Sequence, residues 1–264
     1  MVTADEGPVP VGFGPCPCGR PGGDPAPAWA GPLAECLAWR SFSHPPGDAA
    51  TVLAGLEAQG LCGYALTGAP CDCPLAAALG AASLPVESAV GLVRPALLES
   101  FAARAAVYRR WRRLMTAGLS RSALQVFHAR HKYLVMSRHV PSYRQLGRLL
   151  AAPEPLTRQA EHVLGLTMAA LRRPATRAGL VNALAHIQGY LKRRLDAGER
   201  AELNAAIEAY RQGTAPLLAS LALLQHHFRR HPDPYIEEQV LLRPHPVALA
   251  LLDQAANPPG EHPP

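Results

Sequence analysis

The stretch ALLESFAARAAVYRRWRRLMTA, residues 96–117, reads as one long amphipathic helix and sets the class of the chain. Leu97, Phe101, Tyr108, Trp111 and Met115 recur at helical spacing and form an apolar stripe, while Arg109, Arg110 and Arg113 fall outside it. The exposed face of this helix is therefore expected to be basic. A stripe of that length needs helical partners, and the sequence downstream supplies them. Apolar-periodic segments, punctuated by Gly and Pro, cover roughly 120–137, 142–151, 156–172, 177–195, 197–212 and 216–230. Ser120 is placed to cap the second helix, and Asp196 with Glu199 has capping-box spacing. Leu217, Leu221, Leu224 and Phe228 form another i, i+4, i+7, i+11 stripe. The expected fold is mainly α, a bundle of about seven helices within residues 94–256.

Upstream, residues 1–93 have a different texture. Residues 1–50 are rich in Gly, Pro and Ala, show little periodicity and are expected to be loop or disorder. After them, Val52, Leu53 and Leu56 suggest a short helix, 63–67 a short strand and 75–82 another short helix. The N-terminal part thus reads as a small, largely irregular α/β unit, and residues 257–264 as a disordered tail.

Charge divides at the same boundary. The net charge of the 264 residues is +6, but residues 1–93 carry −6 and residues 94–264 carry +12. Of the 26 basic residues only Lys132 and Lys192 are lysines. Arginine offers a planar fork of donors that suits phosphate, so a nucleic-acid partner and a merely solvated basic surface are equally open on charge alone. No apolar run approaches the roughly 20 residues of a bilayer-spanning helix, and residues 1–10 have neither the basic nor the apolar part of a signal peptide. A cytoplasmic protein without membrane attachment is expected.

All six cysteines lie in the acidic part. Cys16 and Cys18 form one Cys-x-Cys pair, and Cys71 and Cys73 another. Thiolates so spaced can serve zinc or an iron–sulfur cluster, but structural zinc sites favour Cys-x-x-Cys pairs, so spacing alone implies no cofactor. In Phe127-His128-Ala129-Arg130-His131-Lys132, His131 falls amid the apolar positions Leu124, Phe127, Leu134 and Val135 and reads as a buried, hydrogen-bonded histidine. His128 lies at the edge of that face. Lys132 lies at its margin, where an ammonium can meet a phosphate. Further along, Asn182, His186, Gly189 and Arg193 share a polar face opposite Leu180, Leu184, Ile187 and Leu191, and Gly189 suggests close approach by a backbone or a ligand. Lys192, Arg193 and Arg194 suit either a helix C-terminus or a phosphate. Tyr235-Ile236-Glu237-Glu238-Gln239, followed by Pro244 and Pro246, reads as a short structural helix folded over the bundle. Phosphate-cradling glycine loops, nucleophile elbows and zinc-protease helices are absent from the sequence.

Four ordered motifs then point to a family. They are F-H-x-R-H-K (127–132), N-x-L-x-H-x-x-G-Y-x-K (182–192), Y-x-x-G-x-x-P-L (210–217) and Y-I-x-x-Q-x-x-L-x-P-x-P (235–246). Through them residues 94–246 resemble the YbgA-like domain. That domain occurs alone or behind a thiouracil-desulfidase (TudS-type) domain in RudS-type proteins that remove sulfur from 4-thiouridine in tRNA. The resemblance implies a tRNA-binding helical domain, with Arg109, Arg113, Arg130, Lys132, Asn182, His186, Tyr190, Lys192 and Arg193 as the candidate RNA contacts.

Residues 63–74 also resemble the end of the desulfidase domain, with Cys73 on its third cluster-ligand cysteine and Cys16 or Cys18 as the second. Leu84-Pro85-Val86-Glu87 matches the junction between the two domains. Because the first cysteine motif has no counterpart, the N-terminal part resembles a truncated, degenerate desulfidase. Two functions follow from the resemblance. One is a tRNA-binding protein of thiouridine metabolism lacking a complete catalytic site, with any chemistry left to a separate desulfidase subunit. The other is a desulfidase keeping a [4Fe–4S] cluster on Cys73 and other N-terminal cysteines. A helical scaffold for an acidic protein is a third reading.

Overall fold

In the computed structural model, residues 7–15, 35–41, 48–67 and 73–256 are described. Cys16, Cys18, Cys71 and the 257–264 tail lie outside them. Four strands, β1 (Val9–Pro15), β2 (Leu37–Ser41), β3 (Tyr64–Thr67) and β4 (Val86–Ser88), form a parallel sheet in the order β2-β1-β3-β4. Helix α1 (Ala49–Ala58) lies between β2 and β3, and α2 (Pro74–Ala81) between β3 and β4. Asp48 caps α1 by accepting from Thr51 N at 2.8 Å.

Strands β1 and β2 correct the expectation of loop throughout residues 1–50. Val9, Val11 and Leu37 are fully buried, and strands of a covered parallel sheet lack the alternation that marks a half-exposed strand. The glycines of β1, which read as loop, are a packing requirement at Gly12. A Cβ there would lie 2.7 Å from Leu61 Cδ1 and 2.8 Å from Tyr64 Cδ2.

Helix α3 (Pro95–Ala117) is the spar between sheet and bundle. Phe101 stacks on Trp39 of β2 at 5.9 Å, and a Cβ on Gly63 would meet its ring at 2.9 Å. All positions from Leu98 to Arg109 are buried, which corrects the expected basic outer face over that stretch. Arg104 pairs with Glu87 of β4, Arg112 donates to the Glu57 carbonyl at 2.9 Å, and Glu99 pairs with Arg138. A helix walled in on both sides cannot be recognised from one apolar stripe, because its arginines find internal acceptors.

The bundle continues with α4 (Arg121–Arg138), α5 (Val140–Ala151), α6 (Leu156–Leu171), α7 (Arg177–Gln188), α8 (Ala197–Gln212), α9 (Leu217–Arg230), α10 (Pro234–Glu237) and α11 (Pro246–Ala256). Five of the six downstream segments match to within about two residues. The exception is 177–195, where α7 stops at Gln188 and a 3-10 turn, Gly189–Leu191, follows. Helix α11, packed on α3, is an addition to the seven expected; its run VALALLDQAA lacks the polar face that would have marked it. One contiguous hydrophobic cluster runs from Val9 of the sheet to Ala256 of α11. Among the described residues, no helix is long and apolar enough to cross a membrane.

Candidate functional site

Helix α4 organises the site. Ser120 caps it, accepting from Ala123 N at 3.1 Å, and its buried face carries Leu124, Phe127, His131, Leu134 and Val135. His131 is 2% exposed, and its Nδ1 lies 2.6 Å from the Phe127 carbonyl one turn earlier, as expected of a buried histidine. With that stripe turned inward, His128 and Lys132 come to the edge of the bundle, beside α5. His139 ends α4 and caps α5, its Nδ1 accepting from Ser142 N at 3.3 Å. The turn of chain that follows carries Tyr143, Arg144 and Arg148.

Helix α10 closes the other side. Asp233 caps it through Tyr235 N at 3.1 Å and Ile236 N at 3.2 Å. Ile236 is fully buried, and this plug leaves Tyr235 facing Lys132. The result is a groove of ≈ 920 Å³ lined by His128, Lys132, Tyr143, Arg144, Arg148 and Tyr235 among others, with no carboxylate among the described residues of its wall.

Lys132 Nζ lies 4.5 Å from the centre of the Tyr133 ring and 4.7 Å from that of Tyr235. Tyr190 joins the group, its ring 5.9 Å from Tyr235 at an interplanar angle of 23°, its hydroxyl accepting from Tyr133 at 3.3 Å. Burial works against the Lys132 ammonium, but the hydroxyl of Tyr235 and the phenols of Tyr190 and Tyr143 more than offset it and hold its pKa above the usual lysine value. Burial, then the bond to Tyr190, push the Tyr133 phenol up. Burial and the nearby Lys132 charge push His128 down to about 4, so its imidazole is neutral at neutral pH. The groove therefore offers fixed positive charge, aromatic faces and one neutral imidazole, a combination suited to an anion attached to a planar group.

A second groove of ≈ 530 Å³ runs along the other edge of α4. It collects Arg110, Arg113, Arg130 and Arg243, but also Glu237 and Glu238, and Arg130 is paired with Glu238. Its charge is mixed.

The expected contact residues are thus divided among several places. Lys132 and Tyr190 meet in the tyrosine cluster. Arg113 and Arg130 belong to the mixed groove. Arg109 is only 7% exposed and donates to the Gly7 and Pro8 carbonyls at 2.9 and 3.0 Å, so it ties β1 to α3 instead of facing solvent. Asn182 is half-buried on α7, His186 is exposed in its last turn, and Lys192 and Arg193 are exposed beyond the 3-10 turn. That turn detaches 192–194 from the C-terminus of α7, and Arg194 donates to the Pro232 carbonyl at 2.7 Å. No neighbouring backbone approaches Gly189, where a Cβ meets nothing within 4 Å. Such an approach occurs instead at Gly179, where a Cβ would lie 2.1 Å from the Ser137 carbonyl oxygen on α4.

Sequence reading passed over Tyr133, Tyr143, Arg144, Arg148 and Tyr235. Arg144 and Arg148 carried a usable signal, i and i+4 on a strongly amphipathic helix. The tyrosines did not, because their convergence depends on a strap crossing from a distant part of the chain.

The groove belongs to a helical domain of a defined family. Residues 132–246 match the model described as "Protein of unknown function (DUF1722)", a span that starts at Lys132 and contains Tyr133, Tyr143, Arg144, Arg148, Tyr190 and Tyr235. The chain is 34% identical over 134 residues to "Uncharacterized protein YbgA" of Escherichia coli (strain K12), covering 48% of this chain and 77% of the relative, and it belongs to the YbgA-like DUF1722 family. No solved structure matches.

Proposed function

We propose that the chain binds tRNA through the groove between α4, α5 and α10, in or alongside thiouridine metabolism. The observation that carries this reading is the grouping of Lys132, Arg144 and Arg148 in one groove whose wall, among the described residues, contains no carboxylate. No ion pair joins these three to an acidic side chain among the described residues, whereas Arg104, Arg130, Arg138, Arg211 and Arg230 are all so paired. A half-buried ammonium and two guanidinium groups left without counter-ions are matched by a phosphate backbone, and tyrosine faces alongside suit unstacked bases. The link to thiouridine rests on the family resemblance of the motifs.

Titration with thiolated and unthiolated tRNA at two salt concentrations tests this reading. Affinity should fall steeply with salt, and thiolated tRNA should bind more tightly. An acidic polypeptide that competes fully with tRNA would favour the scaffold reading.

A second reading, an iron–sulfur desulfidase, has its own observation. Pro15 and Thr67 are paired at the ends of β1 and β3, the point where strand order reverses and parallel α/β sheets place their ligands. Cys16 follows Pro15 directly in the chain, and Cys73 follows β3 as the cap of α2, its Sγ accepting from Ala76 N at 3.3 Å. Cys73 is the thiol such a cluster would use on this reading; among the described residues no group of three metal-ligating side chains is present, so a cluster would draw its other ligands from the remaining cysteines. Such a cluster would supply an open iron to hold the sulfur of a thiolated base. Iron content and absorbance near ~400 nm after anaerobic purification test it.

A further inference from the structure

We infer that the groove and the neighbouring Tyr190, which stacks on the groove residue Tyr235, together take one unpaired nucleotide, its phosphate at Lys132, Arg144 and Arg148 and its base on the partly exposed Tyr190 ring, so that the protein selects single-stranded or looped RNA over duplex. This rests on the RNA-binding reading above and specifies what the groove recognises.

Two independent features carry it. The first is the geometry of the tyrosines. Tyr190 is 38% exposed although one side of its ring is stacked on Tyr235 and its hydroxyl is bonded to Tyr133. A ring fixed by these two contacts and still partly exposed is a ready platform, because the ordering cost of the side chain is met before a base arrives. The second feature is the position of the charge. Lys132 is pinned against Tyr235, the ring on which Tyr190 stacks, so a cation and a partly exposed aromatic ring share one partner.

A regular duplex presents phosphates but keeps its bases stacked inside, so it could satisfy Lys132, Arg144 and Arg148 and leave Tyr190 bare. An unpaired nucleotide satisfies both. Neutral His128 and the Tyr143 hydroxyl are the remaining polar groups in the groove with hydrogen bonds to offer a base or ribose.

The test uses the full chain and three probes of equal charge: a single-stranded uridine oligoribonucleotide of about a dozen nucleotides, the same backbone without bases, and a duplex. The oligouridine should bind about tenfold or more tightly than the abasic backbone, the scale of a single aromatic–base stack, and more tightly than the duplex. Tyr190→Ala should erase the difference, Tyr190→Phe should keep it, and Lys132→Ala should weaken all three probes by a similar factor. Circular dichroism of each variant confirms the fold. Equal binding of all three probes by the unmodified chain, with salt-dependent tRNA binding intact, would overturn the nucleotide site and leave the RNA reading standing. Failure of every RNA to bind at low salt would overturn both.

Discussion

Lys132 Nζ stands 4.7 Å from the centre of the Tyr235 ring, so a cation on α4 is held by a side chain from a segment far along the chain that folds back over it. Neither residue explains the other in sequence. Asp233 caps the short helix and the buried Ile236 anchors it, with Tyr235 turned toward Lys132. An ammonium over an aromatic face gains about 0.5–2 kcal/mol depending on its desolvation, so the ring positions Lys132 without neutralising it. Tyr235→Ala is therefore expected to weaken RNA binding several-fold. Tyr235→Phe, which keeps the face, should stay close to the unmodified chain. Fluorescence anisotropy with labelled tRNA measures both, and an unaffected Tyr235→Ala would remove the tyrosine from the site.

Two glycines of the 177–191 region should respond in opposite ways. Gly179→Ala drives a methyl into the Ser137 carbonyl of α4 and should cost about 1–3 kcal/mol, with a lowered melting temperature. Gly189 has a φ of −53° and open space, so Gly189→Ala should be neutral or stabilising by up to about 1 kcal/mol. Equal losses at both positions would contradict the packing described for α7.

The Glu99–Arg138 pair is sealed, with side-chain exposures of 4% and 0% and Arg138 Nη2 at 2.5 and 2.6 Å from the two carboxylate oxygens. Removing one partner strands the other charge. Glu99→Gln is expected to lower unfolding free energy by about 3–5 kcal/mol in denaturant titrations, whereas breaking the solvent-screened Arg211–Glu208 pair should leave the denaturant midpoint almost unmoved.

Much of the bundle was legible because amphipathic periodicity, the Ser120 cap and the Asp196–Glu199 capping box are local signals, and all are present as read. The sheet was not. β1 carries Pro10, Gly12 and Gly14 inside a buried strand, and only the neighbouring Leu61 and Tyr64 explain why glycine stands at position 12. At the candidate site, Lys132 was legible as a marginal cation on an apolar helix. Arg109 misled, because a helix buried on both sides uses its arginines to hold backbone carbonyls, and nothing in its spacing distinguishes that from exposure. The tyrosine cluster needed the crossing of α10 over α4, which no local pattern encodes.

Acid should destabilise the fold through His128. Burial and the Lys132 charge lower its pKa from 6.5 to about 4, and burial lowers that of His227 as well. Between those two pH values the unfolded chain takes up a proton that folded His128 refuses, so this contribution to stability is fully present above pH 6.5 and fades as pH falls toward 4. Denaturant midpoints should decline from pH 7 to pH 5, and His128→Asn should flatten the decline. A pH profile identical in the variant would contradict the assignment.

The salt dependence of tRNA affinity, measured for the unmodified chain and for Lys132→Ala, addresses the groove directly. Binding should weaken steeply with rising salt, and the variant should bind more weakly with a log–log slope shallower by about one, as expected for one lost phosphate contact. Affinity that ignores salt, or a variant with unchanged affinity and slope, would contradict the role assigned to Lys132 and its groove.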